Sequence, residues 1–267
     1  MVSVKKQHQF IALINTKFTD KELVWVDAKS TNIASINTSH KFNVFFSLVV
    51  RFISNEIPEW NSRETEIIEG IYPGFSKSVW TKQDIARARL MMALDKSINE
   101  SVLSSFFEIA EMKEEVALYK GLFLLENASV FSTHVAEGIR TNMANVFDAI
   151  ASGNPFAYTY LNEDAWNQLV LKSFFMERKL YPVQYIDEGK NEKLANMLQD
   201  YVQERWAANR QISPEIWRMI NGYLRENVKN MLLEKRFEGV EKDAIDVVLN
   251  RNKNIDNEFW NIIGKTN

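Results

Sequence analysis

Cysteine is absent from all 267 residues, which removes disulfides, thiolate nucleophiles and every zinc site that needs sulfur. Histidine is nearly as scarce. Its three copies, at positions 8, 40 and 134, are too scattered for a histidine-rich metal cluster. Nine glycines and five prolines leave little room for the many turns of a β-sandwich or barrel. No apolar run approaches the ~18 residues of a membrane span, and Arg51 interrupts the most hydrophobic segment. The run Phe10 to Ile14, although preceded by Lys5 and Lys6, is too short for the core of a secretion signal. The 32 basic and 35 acidic residues form no long block of either sign, so the electrostatic footprint of a nucleic-acid binder is missing. Phosphate loop, dinucleotide fingerprint and nucleophile elbow are missing too. These absences predict a soluble, cytoplasmic protein with no membrane span, no nucleic-acid partner, no metal and no cofactor. Peripheral association with a membrane stays open.

What is present is ample material for a core, with 46% hydrophobic and 12% aromatic residues. Leu, Ala, Glu, Lys, Asn and Met recur at helical spacing. The expectation is an all-α chain, a single large domain of about ten helices arranged as an orthogonal bundle or a solenoid-like array. No fixed-period repeat is visible, and the only soft boundary falls at about residues 57–77. A first helix is expected from Asp20 to Ala28, with Leu23, Val24 and Val26 turned inward. Ser39 should cap a second helix through Ile53, for which a buried strand is the competing reading. Pro58 and Pro73-Gly74 punctuate the next stretch, and Thr81 with Asp84 marks a capped start. Helices over Ile98–Ala110 and Glu114–Leu124 follow, with Val102, Phe106 and Ile109 among their core residues.

A long two-faced helix is predicted over Thr133–Ala151. At about 100° per residue, Val135, Ile139, Met143, Val146 and Ile150 share one side while His134, Glu137, Arg140 and Thr141 share the other. Gly153-Asn154-Pro155 ends it. Asn162 caps the next helix, whose acidic first turn and apolar bulk (Trp166, Leu169, Val170, Phe174, Phe175) mark it as a central core element. A helix over Glu192–Asn209 and one opened by Ser213-Pro214 follow, the second running past Gly222 to about Phe237. Short helices near Lys242–Leu249 and Ile255–Ile263 close the chain.

The residues that could carry chemistry lie between His134 and Arg218. Arg205 shares a helical face with Leu194, Leu198 and Tyr201, which draws a guanidinium toward the core or a cleft. There it needs a carboxylate, a phosphate or several carbonyls. One reading is a structural ion pair with Glu137 or Asp148. The other is a cleft in which Arg140 and Arg205 hold an anionic ligand. Gly138 inside a helix implies that something approaches closely, a crossing helix being favoured over a ligand. His134 with Glu137 forms a possible proton-transfer pair, against a capping or hydrogen-bonded histidine. Trp166, Phe174, Phe175, Trp206 and Trp217 read as core packing or as an apolar pocket wall. Asn167 and Gln168, amides within an apolar helix, must find partners.

At these positions the chain resembles the EboA family. The resemblance rests on Glu137-Gly138-Ile139-Arg140-Thr141-Asn142 with Val146-Phe147, on Gly153-Asn154-Pro155-Phe156, and on Trp166-Asn167-Gln168-Leu169-Val170-Leu171-Lys172. It continues through Tyr201-Val202-Gln203-Glu204-Arg205-Trp206-Ala207-Ala208-Asn209-Arg210 and Pro214-Glu215-Ile216-Trp217-Arg218. Asn209 stands where relatives often carry glycine. The resemblance implies a helical protein encoded in bacterial and algal gene clusters linked to moving a metabolite precursor out of the cytoplasm. Its neighbours there look like a prenyltransferase, sugar- or metal-dependent barrel enzymes and a cyclase-like protein. It implies no agreed catalytic residues.

The resulting expectation is a protein of metabolite traffic or processing, which binds a small-molecule precursor or a partner protein of the same gene cluster. Its ligand-binding candidates are Glu137, Arg140, Thr141, Asn142, Asn167 and Arg205. An enzyme using His134 and Glu137, or a scaffold without a ligand, are the alternatives.

Overall fold

The computed structural model describes residues 2–35, 39–250 and 256–266. Every regular element among them is helical, as the scarcity of turn residues predicts, and Ser39–Phe52 is a helix rather than the competing strand. The chain divides into two compact units, Met1–Leu161 and Asn162–Asn267, and residues 57–77 lie inside the first. The side chain of Ser39, expected as a cap, and Ile255, expected to open the last helix, lie outside the described residues.

The first unit contains α1 (Val4–Asn15), α2 (Asp20–Ala34), α3 (Ser39–Phe52), α4 (Ser62–Ile71), α5 (Lys82–Met92), α6 (Asn99–Phe107), α7 (Met112–Leu122), α8 (Ser132–Gly138), α9 (Ala144–Ala151) and α10 (Phe156–Tyr160). Single 3-10 turns occupy Phe75–Lys77 and Ala128–Phe131. Helix α1 escapes the periodicity reading because Phe10 and Ile14 are its only buried residues, too few to draw an apolar stripe. Reciprocal capping boxes close the helix starts at Thr19 with Glu22, at Asn61 with Glu64 and, as expected, at Thr81 with Asp84.

Helix α5 is the axis of this unit, packed against α7, α2 and α3, while α7 packs in turn on α9. Small residues allow the close α5–α7 crossing, since a Cβ at Gly121 would run into the Met91 side chain. Val24 is exposed, contrary to expectation, because it stands about 200° around the helix from the buried Val26. Ile109 is exposed as well, lying two residues past the end of α6.

The long helix expected over Thr133–Ala151 is two helices, α8 and α9. The chain tightens where Arg140 N–H and Thr141 N–H donate to the carbonyls of Glu137 and Gly138. Thr141 Oγ1 then accepts from Met143 N–H at 3.1 Å, a local bond that competes with helix continuation. The apolar phase survives the break, with Val135, Ile139, Val146 and Ile150 buried, but Met143 is 45% exposed. Gly138 does mark a close approach. The Tyr119 hydroxyl of α7 occupies the space a Cβ would take, so a neighbouring helix fills it. Burial, with smaller contributions from Glu115 and Glu137, pushes the Tyr119 phenol well above its ordinary range.

After α9 the backbone turns through Gly153 at φ +61°, where Gly74 O sits against the missing Cβ. Asn154, 3% exposed, locks that turn. Its amide donates to Tyr119 O (3.1 Å) and Ala149 O (2.8 Å), and its oxygen accepts from Phe156 N–H (3.0 Å).

The second unit contains α11 (Glu163–Phe175), α12 (Glu192–Ala207), α13 (Ile216–Ile220), α14 (Glu226–Glu234), α15 (Gly239–Leu249) and α16 (Asn257–Thr266). Asn162 caps α11 as expected, accepting from Ala165 N–H at 2.9 Å. Trp166, Leu169, Val170 and Phe174 are buried, whereas Phe175 is 61% exposed and meets Tyr201 edge-on. The helix expected to run from Ser213 past Gly222 is instead α13 and α14. Ser213 and Pro214 form the turn ahead of Ile216, and Gly222 at φ +97° ends α13. The fully buried Gln199 of α12 stitches down the chain beyond it, donating to Tyr223 O and accepting from Arg225 N–H.

Replacing Asn154 by Ala removes three buried hydrogen bonds and strands their backbone partners. A loss of about 3 kcal/mol is expected from the urea midpoint, with the helical circular-dichroism signal retained.

Candidate functional site

Helix α12 ends in a turn that opens a cleft. Asn209 adopts φ +52°, Asn209 N–H donates to Trp206 O, and Arg210 N–H donates to Arg205 O at 2.8 Å. This pair of bonds is a Schellman closure, whose left-handed position favours glycine. The glycine that the family resemblance implies at this position therefore has a conformational reason. Arg205 then fixes the next segment, since its Nε and Nη2 both donate to Gln211 O, at 3.2 and 3.0 Å.

The residues so held, Asn209 to Ile212 and Pro214, form one wall together with Trp206. The opposite wall is Lys235, Arg236 and Phe237, between α14 and α15, with Val240 and Glu241 of α15. Between them lies a cleft of about 600 Å³, within the range of small-molecule sites. Trp206 and Phe237 face each other with centroids 5.9 Å apart and planes inclined by 32°. The Lys235 ammonium stands 5.0 Å from the Trp206 ring centroid. Arg210, Lys235 and Arg236 form no ion pair among the described residues. Burial pushes the one lining carboxylate, Glu241, above its ordinary range, and Lys235 draws it partly back.

Arg205 itself is half-buried. Its partners are Gln211 O and the Tyr201 ring, with the guanidinium carbon 5.8 Å from the ring centroid, and no carboxylate pairs with it among the described residues. The buried, fork-paired guanidinium belongs to Arg218, which is 2% exposed. Its Nε and Nη2 meet the two oxygens of Asp187 at 2.9 and 2.5 Å, and Nη1 meets Asn261 Oδ1 at 3.1 Å. Burial alone would raise the Asp187 carboxyl, but Arg218 and Lys190 pull it below the ordinary range. Nearby, Glu215 accepts from Leu180 N–H and Tyr181 N–H, and burial pushes its carboxyl up despite these bonds.

The other expected residues are dispersed. Asn167 is buried and exchanges amide hydrogen bonds with Asn191, at 2.8 and 3.3 Å, so it is a structural clamp between α11 and the start of α12. Gln168 is exposed. In the first unit, the half-buried His134 ring lies 5.3 Å from that of Phe107. Glu137, Arg140 and Asn142 are exposed, and Glu137 forms no ion pair with Arg140. Thr141 is used by the backbone turn. The wall from Lys235 to Glu241 is not legible in the sequence because the helical pattern runs on to about Phe237, past the end of α14 at Glu234. Its signal was Gly239 just after a Lys-Arg-Phe run.

The family model described as metabolite traffic protein EboA matches residues 7–221. No curated protein and no solved structure matches the chain.

Two arginines in one unit should respond differently to substitution. Arg205→Met removes part-exposed bonds to a carbonyl and should cost about 1 kcal/mol or less. Asp187→Asn leaves the Arg218 guanidinium without its counter-charge and should cost about 3–5 kcal/mol. Because the folded Asp187 pKa is depressed, its contribution is fully present above the ordinary aspartate range and is lost as pH falls through the folded value. Glu215, raised, acts with the opposite sign, so the difference between wild type and Asp187→Asn isolates Asp187. Urea midpoints between about pH 6 and pH 2 should converge at the acid end.

Proposed function

We propose, since the chain belongs to the metabolite traffic protein EboA family, that it holds a small-molecule metabolite in the cleft at the end of α12 and hands it on unchanged. The observation that carries this reading is the cleft itself. Its volume of about 600 Å³, two aromatic rings and an anchored loop suit the capture of a compact organic molecule. Arg205, expected as a ligand clamp, acts in this reading through Gln211, as the residue that keeps one wall in place.

Carriage is favoured over turnover by the surroundings of the candidate acid–base pair. His134 packs on Phe107, and no hydrogen bond joins it to Glu137 among the described residues. General acid–base work needs a positioned proton path. The cleft's own carboxylate, Glu241, has a cation rather than a base as its neighbour.

The test equilibrates the purified full chain with a small-molecule extract of its source cells, removes unbound material by gel filtration and identifies retained compounds by mass spectrometry. One compound, near one per chain, is expected. Ile212→Trp or Val240→Trp, each filling the cleft from one wall, should abolish retention while leaving the thermal midpoint within a few degrees. Retention undiminished in both plugged variants would move the site to the exposed turn bearing Glu137, Arg140, Thr141 and Asn142. A compound chemically altered during incubation would replace carriage by catalysis.

A further inference from the structure

The molecule carries a formal net charge of −3, yet the largest imbalance around its cleft is positive. Arg210, Lys235 and Arg236 line it against Glu241 alone. A locally positive cleft on an acidic protein concentrates anions and repels cations. None of the three cations is neutralised by a pairing carboxylate among the described residues, so they are available to a guest. The same cleft has an apolar side, where Trp206 and Phe237 lie against each other with their planes tilted by 32°. The Lys235 ammonium lies over the Trp206 face, 5.0 Å from the ring centroid. An anionic group meeting that ammonium therefore has its attached body in contact with the indole. At about 600 Å³ the space far exceeds a bare phosphate or acetate, so charge alone would leave most of it unfilled.

We infer that the cleft recognises an organic anion with a flat apolar body and a single carboxylate or phosphate head. Lys235 and Arg236 read the head, and Trp206 and Phe237 hold the body. This rests on the cleft being the metabolite site, and it names the class of metabolite. The assignment separates the two walls by origin. Trp206 and the segment through Pro214 lie within the stretch matched by the family model, whereas Lys235 to Glu241 lie beyond residue 221, where that match ends. The head-reading cations thus stand outside the stretch that the family model matches.

The test titrates the full chain calorimetrically with naphthoate, naphthyl phosphate, naphthamide, naphthylmethylamine, acetate and inorganic phosphate. At least one of the two naphthyl anions should bind about tenfold or more tightly than the neutral amide, the amine and either bare anion. The preferred anion tells carboxylate from phosphate. Its affinity should weaken as salt is raised. The double variant Lys235→Gln/Arg236→Gln should lose at least about tenfold for the preferred anion while binding naphthamide within about twofold of wild type. Both positions are exposed, and an unchanged thermal midpoint would confirm that the fold is kept. Equal affinity for anion and amide, or an anion affinity unmoved by the double variant, overturns the inference. If no naphthyl anion binds although a compound is retained from the extract and lost in Ile212→Trp, the ligand class is wrong and the cleft stands. If nothing is retained either, both readings fall together.

Discussion

A guanidinium taken out of water must be met on its own geometry, and Arg218 is met at all three of its nitrogens. Asp187 takes Nε and Nη2, and Asn261 takes Nη1. Leaving such a group unpaired costs more than α13, five residues long, could recover from its own helical bonds. The pairing therefore determines where the irregular segment 176–191 lies, and Glu215 adds a second fastening through the amides of Leu180 and Tyr181. Helix α16 closes over the same group. Gly264 lies so near the Glu215 carboxylate and Tyr181 that any side chain there would collide with them. The unit is thus assembled around α13, and the cleft is set by that assembly because Trp217 stands against Trp206, with centroids 5.9 Å apart.

The first unit, which also buries the guanidinia of Arg87 and Arg89, must in addition satisfy the backbone of its turns. A chain with so few glycines must still turn, and each turn frees backbone donors that the interior will not tolerate unpaired. Glu69 collects the N–H groups of Gly74 and Ser76, Glu22 collects that of Ser54, and Asn154 bridges the end of α9 to α7. Side chains thereby do for the loops what the helical ladder does for the helices. Glu69 and the Asn154–Ala149 bond close turns locally, whereas Glu22 to Ser54 and Asn154 to Tyr119 join elements more than thirty residues apart, which local propensity alone would leave adrift.

This division explains what could be read in advance. The all-helical class followed from scarce glycine and proline together with helical spacing. The caps at Thr81 and Asn162, the close approach at Gly138 and the stop at Gly153-Asn154 are local signals with local causes. The break at Thr141 was not legible because the apolar phase runs through it unbroken and hides the local bond from Met143 N–H to the Thr141 hydroxyl; the one at Gly222 is sustained by the Gln199 amide from another helix, which becomes relevant only once the chain has folded. A buried, carboxylate-paired arginine of the kind expected at Arg205 stands thirteen residues further on, at Arg218. Helical phase put Arg205 with Leu198 and Tyr201, but the last turn of α12 lies where the helix leaves the core, and Arg218 is the residue that goes inside. One wall of the cleft was in plain view as Trp206 to Pro214. The other was hidden beneath a helix that does not form there.

Trp217 leaves one consequence of a different kind. Its indole N–H is fully buried and has no acceptor among the described residues, and its ring neighbours Trp206, which lines the cleft. Two indoles 5.9 Å apart are close enough to share excitation energy, so light absorbed by the sheltered Trp217 would in part be emitted by Trp206. On the proposed function, a guest in the cleft would then alter the part of the native emission that leaves through Trp206.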